Sequence, residues 1–260
     1  MKLPKISIVT PSFNQAKFIR ATIDSVLSQH YPNLEYLVID GGSTDGTVKI
    51  LKNYGDRLKW ISEPDQGQSD AINKGLRIAK GQILAYLNSD DVLALGALRA
   101  VGTYFAAHPD CDWVTGDCNV IGVDGQVLLS HSWLIRGYKR LLLKLYSPFT
   151  LRVVDNMLPQ PSTFWSRRAY EQIGEFNKKY HYVMDYDYWL RLSRYYRPHD
   201  LGVVLSGFRA QPDSKSETSR DKLIAEGELA LRASGARGWE LWLHRRHSDL
   251  IRFVYNLLKK

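Results

Sequence analysis

The fold is decided by the stretch LEYLVIDGGSTDGT at residues 34–47, in which an apolar run ends abruptly in an aspartate and a glycine-rich turn. A short apolar run bounded by such a turn is typical of a buried strand. Ser43, Thr44 and Asp45 are favourable N-cap residues, so a helix is expected to open near Thr44. The stretch therefore predicts one strand–turn–helix unit.

Equivalent units lie on both sides of this stretch. Further strands are predicted at residues 6–10, 58–62 and 83–87, and amphipathic helices alternate with them, among them 69–79 and 96–107. Such alternation requires right-handed crossovers and a parallel sheet that binds ligands at the carboxyl ends of its strands. The sequence predicts an α/β fold with a mostly parallel central sheet and helices on both faces.

The second half of the chain follows this pattern less regularly. Residues 113–127 are predicted as a strand with a turn, 162–166 and 201–205 as strands, and 185–195 as a helix. No clear linker divides the chain.

Composition and targeting signals narrow the class of protein. The chain has 260 residues, of which 44% are hydrophobic and 24% charged, which excludes fibrous and disordered classes. No run approaches the roughly 18 consecutive apolar residues of a membrane-spanning helix, and the apolar run before Pro11 is too short for a signal peptide. Cys111 and Cys118 lack the spacing of a metal or redox motif, so both are expected to be reduced thiols. A cytoplasmic protein is expected.

Positive charge is concentrated in two segments. The formal net charge is +8; residues 133–152 carry five basic and no acidic side chains, and residues 232–260 carry seven basic and two acidic ones. The rest of the chain is nearly neutral, whereas a nucleic-acid-binding domain should carry a basic stripe across its body, so nucleic acid is not an expected partner. An anionic partner is expected at the two segments.

Polar residues stand where the predicted strands end. Pro11, Phe13 and Asn14 follow the first strand, and Asp40 and Gly41 end the second. The glycines of GGSTDG do not have the spacing of a dinucleotide-binding loop, and the lysine of a phosphate-binding loop is absent. Because parallel strands end at one edge of a sheet, these residues are expected to converge on a single rim.

Two adjacent acids, Asp90 and Asp91, end the fourth predicted strand. Two unit charges about 4 Å apart repel by roughly 4 kcal/mol at an effective dielectric near 20, and a bound cation would remove that repulsion. A hard ion such as Mg²⁺ or Mn²⁺ is held by one or two carboxylates, with phosphates completing its shell. The alternative is that one carboxylate caps the next helix while the other faces solvent. Spacing leaves both interpretations open.

Five ordered motifs resemble family 2 glycosyltransferases with the GT-A fold. They are TPSFNQ (10–15), VIDGGSTDGT (38–47), EPDQGQSDAINKG (63–75), LNSDD (87–91) and MDYDYWLRL (184–192). The resemblance covers roughly residues 5–210. It implies an inverting, metal-dependent enzyme that moves a sugar from a nucleotide-sugar, with UDP as the expected nucleotide and Mn²⁺ or Mg²⁺ as the cofactor.

The resemblance also implies roles for single residues of the donor site. Asp40 would accept a hydrogen bond from the nucleoside base, and Asp90 would face the ribose or sugar. Asp91, with Asp90, would hold the metal, although Asn88 stands where many members have the first acid. The wider nucleotide-binding set is Thr10, Pro11, Phe13, Asn14, Asp40, Gly41 and Asp90. Gln68, Asp70 and Lys74 are predicted at the diphosphate or donor sugar, with a solvated helix lysine as the alternative for Lys74.

The acceptor side is implied by the later motifs. Asp185 aligns with the family's general base, although Met184 replaces the glutamate that commonly precedes it. Asp187 would point about 200° away on a helix and is predicted to pair with Arg191 at i+4. The stretch LPQPSTFW at 158–165 contributes two further candidates for the sugars. They are Gln160 and Trp165, with core packing as the alternative for the aromatic ring.

The predicted organisation has a catalytic domain and a terminal helix. Residues 1–231 form the domain, with a nucleotide-binding half at 1–118 and an acceptor-binding half at 119–231 that contains a basic insertion at 133–158. Residues 232–260 form a basic amphipathic helix.

The two basic segments favour a membrane surface. Each combines Trp, Leu and cations on an amphipathic pattern, which is typical of a peripheral membrane element. The alternative is that the apolar side of the terminal helix packs on the domain. The expected acceptor is a saccharide or a polyprenyl-linked saccharide in surface polysaccharide biosynthesis, used at the inner face of the cell membrane. The competing function is a nucleotide-sugar-binding protein of the same fold without turnover.

Overall fold

The computed structural model describes residues 2–129, 133–154, 156–211 and 219–258. The strands of these residues are β1 (Ile6–Ser12), β2 (Leu34–Asp40), β3 (Lys59–Ser62), β4 (Ile83–Tyr86), β5 (Val92–Leu93), β6 (Trp113–Ile121), β7 (Val127–Leu129), β8 (Thr163–Ser166) and β9 (His199–Arg209). The α-helices are α1 (Ile19–Leu27), α2 (Thr47–Lys52), α3 (Gln68–Ile78), α4 (Ala97–Ala107), α5 (Trp133–Lys144), α6 (Pro148–Val153), α7 (Arg167–Ile173), α8 (Met184–Leu192), α9 (Arg220–Ala233) and α10 (Gly238–Leu258).

All of these strands belong to one sheet. Its order is β3-β2-β1-β4-β8-β6-β9-β5, and β7 pairs with β6. The first four strands in this order are parallel, as predicted. The second half is mixed, because β8 runs antiparallel to both β4 and β6 while β6 and β9 are parallel. The prediction of a mostly parallel sheet therefore describes the first half only, since side-chain alternation does not encode strand direction.

Two apolar cores cover the two faces of the sheet. One lies under α1, α2 and α4, and α1 buries Ile19, Ile23 and Val26 at helical spacing. The other lies under α3, α8 and α9 and contains the fully buried indoles of Trp113, Trp165 and Trp189. The ring centroid of Trp189 lies 5.7 Å from that of Trp113 and 5.7 Å from that of Trp165. Each large apolar side chain buried in this way contributes about 1.5–3 kcal/mol.

Helix α3 lies unusually close to the sheet at Gly75. A Cβ there would come within 2.4 Å of Val9 Cγ1, so only glycine permits this approach. The close packing fixes the start of α3, at Gln68, beside the carboxyl ends of β1 and β4. This is the edge of the sheet where the sequence predicts the functional site.

Several boundaries differ from prediction for local reasons. Helix α2 begins at Thr47 rather than near Thr44, because Gly46 has a φ of 103° and the Asp45 carboxylate accepts the Thr47 N–H at 3.0 Å. The predicted strand and turn at 113–127 form the β6–β7 hairpin, the basic insertion contains α5 and α6, and α8 ends at Leu192 rather than residue 195. Strand β9 extends well beyond the predicted 201–205, and α9 was not predicted.

Candidate active site

A cavity of about 1350 Å³ opens at the carboxyl ends of β1 and β4. The loops after these strands form one wall, the start of α8 forms the floor, and α9 with α10 form the opposite wall. Seven of the residues singled out by sequence line it: Pro11, Phe13, Gly41, Gln68, Asp90, Gln160 and Asp185. Parallel strand ends thus bring together side chains that are far apart in sequence.

The wall formed by the β1 loop presents an aromatic ring. Phe13 is 59% exposed, so its ring is free to stack on a flat group. Asn14 has a φ of 52° and ties two loops together, because its amide oxygen accepts the Thr44 N–H at 2.9 Å and its own N–H donates to Ser43 Oγ at 2.7 Å. Asn14 therefore shapes the loop rather than lining the cavity.

Asp40 and Thr10 form the framework behind this wall. Asp40 is fully buried, and its carboxylate accepts the Ser43 N–H at 2.9 Å and the Ser62 hydroxyl at 2.6 Å. The Thr10 hydroxyl is equally buried and lies 3.1 Å from the Tyr36 hydroxyl. Neither side chain lines the cavity; Asp40 holds the turn that carries Gly41, and Thr10 links β1 to β2.

Asp65 is a cavity residue that sequence reasoning missed. Its Oδ1 accepts the Gly67 N–H at 2.8 Å, and its Oδ2 lies 2.6 Å from where a Cβ on Gly41 would stand. A side chain at Gly41 would displace the Asp65 carboxylate, so the glycine leaves room for that carboxylate beside the turn. Asp65 belongs to the EPDQGQSD motif, in which only the later residues Gln68 and Asp70 were predicted to contact the donor.

Of the three residues predicted near the diphosphate, only Gln68 lines the cavity. Its Nε2 donates to Asn88 Oδ1 at 2.7 Å. Asp70 instead accepts the Gln66 N–H at 3.1 Å, outside the cavity. Lys74 also points away, because it pairs with Glu63 at 2.7 Å, and that hydrogen bond raises the pKa of Lys74.

The side chains of the adjacent acids Asp90 and Asp91 point in different directions. Asp90 is half-buried, lines the cavity and accepts a hydrogen bond from Gln211 Nε2 at 2.5 Å. Asp91 is fully buried, and its oxygens accept the backbone N–H of Arg209 at 2.9 Å and the Asn88 amide at 3.3 Å. Burial raises the pKa of Asp90 and raises that of Asp91 well above its usual range. The structure therefore differs from the predicted metal pair, since only Asp90 faces the cavity.

The chemistry of this loop fits a hard divalent ion that is shared with a ligand. Among the residues described by the structure, no group of three or more His, Cys, Asp or Glu side chains is placed to hold a metal. Of the two acids on this loop, Asp90 lines the cavity, with the Asn88 amide beside it. Mg²⁺ and Mn²⁺ are commonly held by one or two carboxylates together with substrate phosphates. The protein thus supplies part of a ligand shell that a diphosphate would complete.

Arg209 and Gln211, at the end of β9, are further cavity residues that were not predicted. Arg209 is buried, and its guanidinium donates to the carbonyls of Asp90 at 2.7 Å and Gly122 at 2.7 Å and lies 5.2 Å from the Phe18 ring. These contacts fix a cation beside the Asp90 loop. No signal in the sequence pointed to them, because β9 was predicted to end at residue 205.

Asp185 stands at the start of α8 and faces the cavity. It is half-buried, and Asn156 Nδ2 donates to its Oδ2 at 3.1 Å. Burial raises its pKa to about 6, against 3.8 for an ordinary aspartate. A carboxylate with this pKa is mostly ionised at neutral pH and is still a competent proton acceptor.

Asp187, two residues later, forms the ion pair with Arg191 that the sequence predicts. It is buried, and its Oδ2 pairs with Arg191 Nη2 at 3.0 Å. The Arg191 guanidinium also donates to the carbonyls of Ile173 and Glu175. The predicted i, i+4 ion pair is confirmed, and Asp187 does not line the cavity.

The two predicted sugar contacts are separated by the structure. Gln160 lines the cavity, where Nε2 donates to the Tyr86 carbonyl at 2.7 Å and Oε1 accepts from Asn88 at 3.3 Å. Trp165 is fully buried and packs against Phe176 and Trp189. Core packing, the alternative given for Trp165, describes its position.

Helices α9 and α10 contribute a polar wall that the sequence did not predict. It contains Glu228, His244, Arg245, Ser248 and Asp249. Arg245 Nε donates to Glu228 Oε1 at 2.7 Å, which joins the two helices. Polar side chains of this kind suit hydroxyl-rich ligands. The terminal helix was predicted as a separate element, so its part in the cavity was missed.

Comparison of sequences finds relatives that are named glycosyltransferases. The family model described as Glycosyl transferase family 2 matches residues 7–165. A PGL/p-HBAD biosynthesis glycosyltransferase of Mycobacterium bovis (strain BCG) is 31% identical over 199 residues, which is 74% of this chain and 70% of that protein. An uncharacterized glycosyltransferase of Rickettsia typhi is 26% identical over 202 residues, which is 76% of this chain and 62% of that protein.

Comparison of folds finds solved structures that hold nucleotide-sugars. S. aureus TarS in complex with UDP-GlcNAc superposes with a TM-score of 0.66 at 17% identity, over 88% of this chain and 66% of that one. The mannosyltransferase PcManGT from Pyrobaculum calidifontis, in complex with GDP-Man and Mn²⁺, superposes with a TM-score of 0.67 at 18% identity, over 100% of this chain and 82% of that one. At these identities the likeness concerns the fold. Within the described ranges, no helix has the length and apolar character to cross a bilayer.

Proposed function

The chain belongs to glycosyltransferase family 2 and has the GT-A fold, and from that premise we propose that it transfers a sugar from a nucleotide-sugar to an acceptor hydroxyl with inversion at the anomeric carbon. The observation that carries the proposal is one cavity that contains both the Asp90 loop and Asp185, whose pKa is about 6. The Asp90 loop is suited to bind a diphosphate with its ion, and Asp185 is suited to act as a general base.

Asp185 is the general base of the proposed reaction. Its carboxylate takes the proton of the acceptor hydroxyl while that oxygen forms a bond to the anomeric carbon. The bond from this carbon to the diphosphate breaks on the opposite face, and the diphosphate leaves with the electron pair. Asn156 positions the base through its hydrogen bond to Oδ2. No covalent sugar–enzyme intermediate is needed.

The nucleoside of the donor is proposed to lie against Pro11, Phe13 and Gly41. These residues line the cavity, Asn14 and Asp40 hold the neighbouring loops through hydrogen bonds, and Thr10 is buried in β1. UDP is the proposed nucleotide. Solved relatives of the same fold hold UDP-GlcNAc or GDP-Man, so the donor screen must include both bases.

Mn²⁺ or Mg²⁺ is the proposed cofactor. Asp90 would hold it together with the donor's diphosphate, and Asp91 would act indirectly by fixing the loop to β9. When bound, the ion supplies positive charge that stabilises the departing diphosphate. The buried Arg209 guanidinium adds a fixed cation of the chain's own next to this loop.

The acceptor is proposed to be a saccharide, free or polyprenyl-linked, used at the inner face of the cell membrane in surface polysaccharide biosynthesis. It would enter between Gln160 and the polar wall of α9 and α10. A PGL/p-HBAD biosynthesis enzyme among the relatives supports a glycolipid or related product class.

A donor screen tests the proposal. Purified protein is incubated with UDP-glucose, UDP-GlcNAc and GDP-mannose, each with Mn²⁺ or with EDTA, and release of nucleoside diphosphate is measured with and without saccharide acceptors. We expect one donor to be consumed and acceptor to increase the rate. If a donor binds in calorimetry but no donor is consumed with any acceptor, the protein is a nucleotide-sugar binder and the proposal fails.

A further inference from the structure

Helix α10 has two different sides. The side that faces the domain lines the catalytic cavity with His244, Arg245 and Ser248. Nearer the start of the helix, the same side anchors it in the core through Leu241 and through Glu240, which is buried and accepts from Arg152 Nε at 2.8 Å. The helix is therefore an integral part of the folded domain.

The opposite side of α10 leaves large apolar groups in solvent. Trp239 is 52% exposed and Trp242 is 57% exposed, and they are one turn apart. Leu250, two turns beyond Trp242, is also exposed. Exposed tryptophans aligned along one side of a helix are unusual for a surface that meets only water.

Helices α5 and α6 extend this side. Leu141 of α5 and Leu145, the residue that follows α5, are exposed four residues apart, and Leu145 is 64% exposed. Two ring contacts connect them to α10: Phe149 of α6 lies 5.6 Å from Trp239, and Tyr138 of α5 lies 6.0 Å from His247. We call the resulting set the apolar surface. It consists of Tyr138, Leu141, Leu145, Phe149, Trp239 and Trp242.

Basic side chains border the apolar surface. Lys144 and Arg246 are exposed, and the Arg246 guanidinium lies 5.7 Å from the Trp242 ring. The segment from 133 to 152 contains no acid, and the one acid in the adjoining first turn of α10, Glu240, is neutralised by Arg152. Exposed Trp, Leu and Phe interleaved with cations match the boundary between acyl chains and anionic headgroups.

We propose that the apolar surface docks on an anionic lipid bilayer and that α10 leads an acceptor with a lipid anchor from that bilayer to the catalytic cavity. The second part rests on the proposed glycosyl transfer, and the docking does not. One helix carries both the docking side and part of the cavity wall, so docking places the cavity close to the membrane. An acceptor whose lipid stays in the bilayer can then present its sugar to Asp185.

Vesicle co-sedimentation of the full chain tests the docking. Vesicles of phosphatidylcholine alone are compared with vesicles that also contain roughly 30 mol% phosphatidylglycerol, in low salt and in about 1 M NaCl, where the Debye length falls to about 3 Å. We expect binding to the anionic vesicles only, weakened by salt. The variant Trp239→Ser/Trp242→Ser is expected to bind at least about tenfold more weakly, because the apolar area that enters the membrane is lost.

Matched controls lie on the other face of the sheet. Leu95→Ser removes a leucine that is 88% exposed, next to the core beneath α1 and α4, and should leave vesicle binding unchanged. Lys144→Gln/Arg246→Gln should weaken binding about tenfold or more, whereas Lys49→Gln/Lys52→Gln on α2 removes two exposed lysines and should not.

Three outcomes overturn the docking. The first is that the wild-type chain does not bind anionic vesicles, and the second is that the Trp239→Ser/Trp242→Ser variant binds them equally well. The third is a concentration-dependent dimer in light scattering that the same variant abolishes, because the surface would then be a contact between two copies. Donor consumption with a water-soluble acceptor, measured without vesicles, is expected to be unchanged in this variant. If the wild-type protein consumes no donor at all, the catalytic proposal is wrong, but the vesicle-binding result still decides the docking.

Discussion

At the scale of single residues, small differences in burial separate side chains of the same type. Asp185 and Asp187 are two residues apart on α8, but the first faces the cavity with a pKa of about 6 and the second is locked to Arg191. Asp90 and Asp91 are adjacent, but only the first reaches the cavity. The opposite directions of Asp185 and Asp187 were predictable from the helical rotation of 100° per residue. The directions of Asp90 and Asp91 were not, because the path of their loop depends on its contacts with β9.

Replacement of Asp185 by asparagine should separate chemistry from binding. Asp185→Asn keeps the shape and an acceptor oxygen for Asn156 but removes the proton acceptor, so kcat should fall by about 10²- to 10⁴-fold. Donor affinity in calorimetry should change by less than about threefold. Asp187→Asn is the matched control; it should lower the melting temperature through loss of the Arg191 ion pair while retaining most of kcat. Near-normal turnover by Asp185→Asn would exclude it as the base.

The pKa of Asp185 also predicts the acidic side of the pH profile. The base must be ionised, so kcat/KM should rise with pH through about 6 and level off above it. With a pKa of about 6, the gain from pH 5 to pH 7 should be about tenfold. Initial rates across this range, with donor affinity measured at each pH, provide the check. A profile centred near the ordinary aspartate value would contradict the effect of burial.

At the scale of elements, the first half of the fold was readable from sequence and the second was not. Strands β1 to β4 and the helices between them follow local patterns, and their predicted limits lie within about two or three residues of the observed ones. The direction of β8, the length of β9 and the presence of α9 depend on partners distant in sequence. Most of the cavity residues that were missed lie on or next to those elements: Arg209, Gln211 and the wall on α9 and α10. Asp65, which precedes α3, is the exception.

The loop between β4 and β5 should respond differently to changes in its two acids. Asp90→Asn removes the carboxylate that faces the cavity, so Mn²⁺-dependent UDP binding should weaken by at least about tenfold. Asp91→Asn is nearly isosteric and can still accept the Arg209 N–H, so the same affinity should change by less than about threefold. Calorimetry of UDP with and without Mn²⁺ measures both. An equal loss in the two variants would mean that Asp91 turns toward the metal when donor binds.

At the scale of the whole molecule, one sheet joins the half of the chain that we propose binds the donor to the half that we propose binds the acceptor. The proposed donor wall follows the parallel strands, and Asp185, the proposed base, lies on α8, which packs in the aromatic core through Trp189. Glu226 of α9 accepts the N–H groups of His181 at 2.9 Å and Tyr182 at 2.8 Å, which steadies the loop before α8. The family and the GT-A fold, predicted from five motifs, are confirmed.

Metal and nucleotide should stabilise the protein only in combination. The described residues offer a single cavity-facing carboxylate on the Asp90 loop, so EDTA or Mn²⁺ alone should leave the melting temperature nearly unchanged. UDP with Mn²⁺ at about 100 times Kd adds about 2.7 kcal/mol, which corresponds to roughly 5–10 °C for a chain of this size. Differential scanning fluorimetry distinguishes the cases. A large shift with Mn²⁺ alone would reveal a metal site independent of the donor.

The unequal burial of the indoles gives the molecule a built-in optical readout. Trp113, Trp165 and Trp189 emit from a dry interior, whereas Trp239 and Trp242 emit from water. Unfolding should therefore shift the emission to longer wavelength, and attachment to a vesicle should shift it to shorter wavelength. The two events can be followed in unlabelled protein by the wavelength of maximum tryptophan emission.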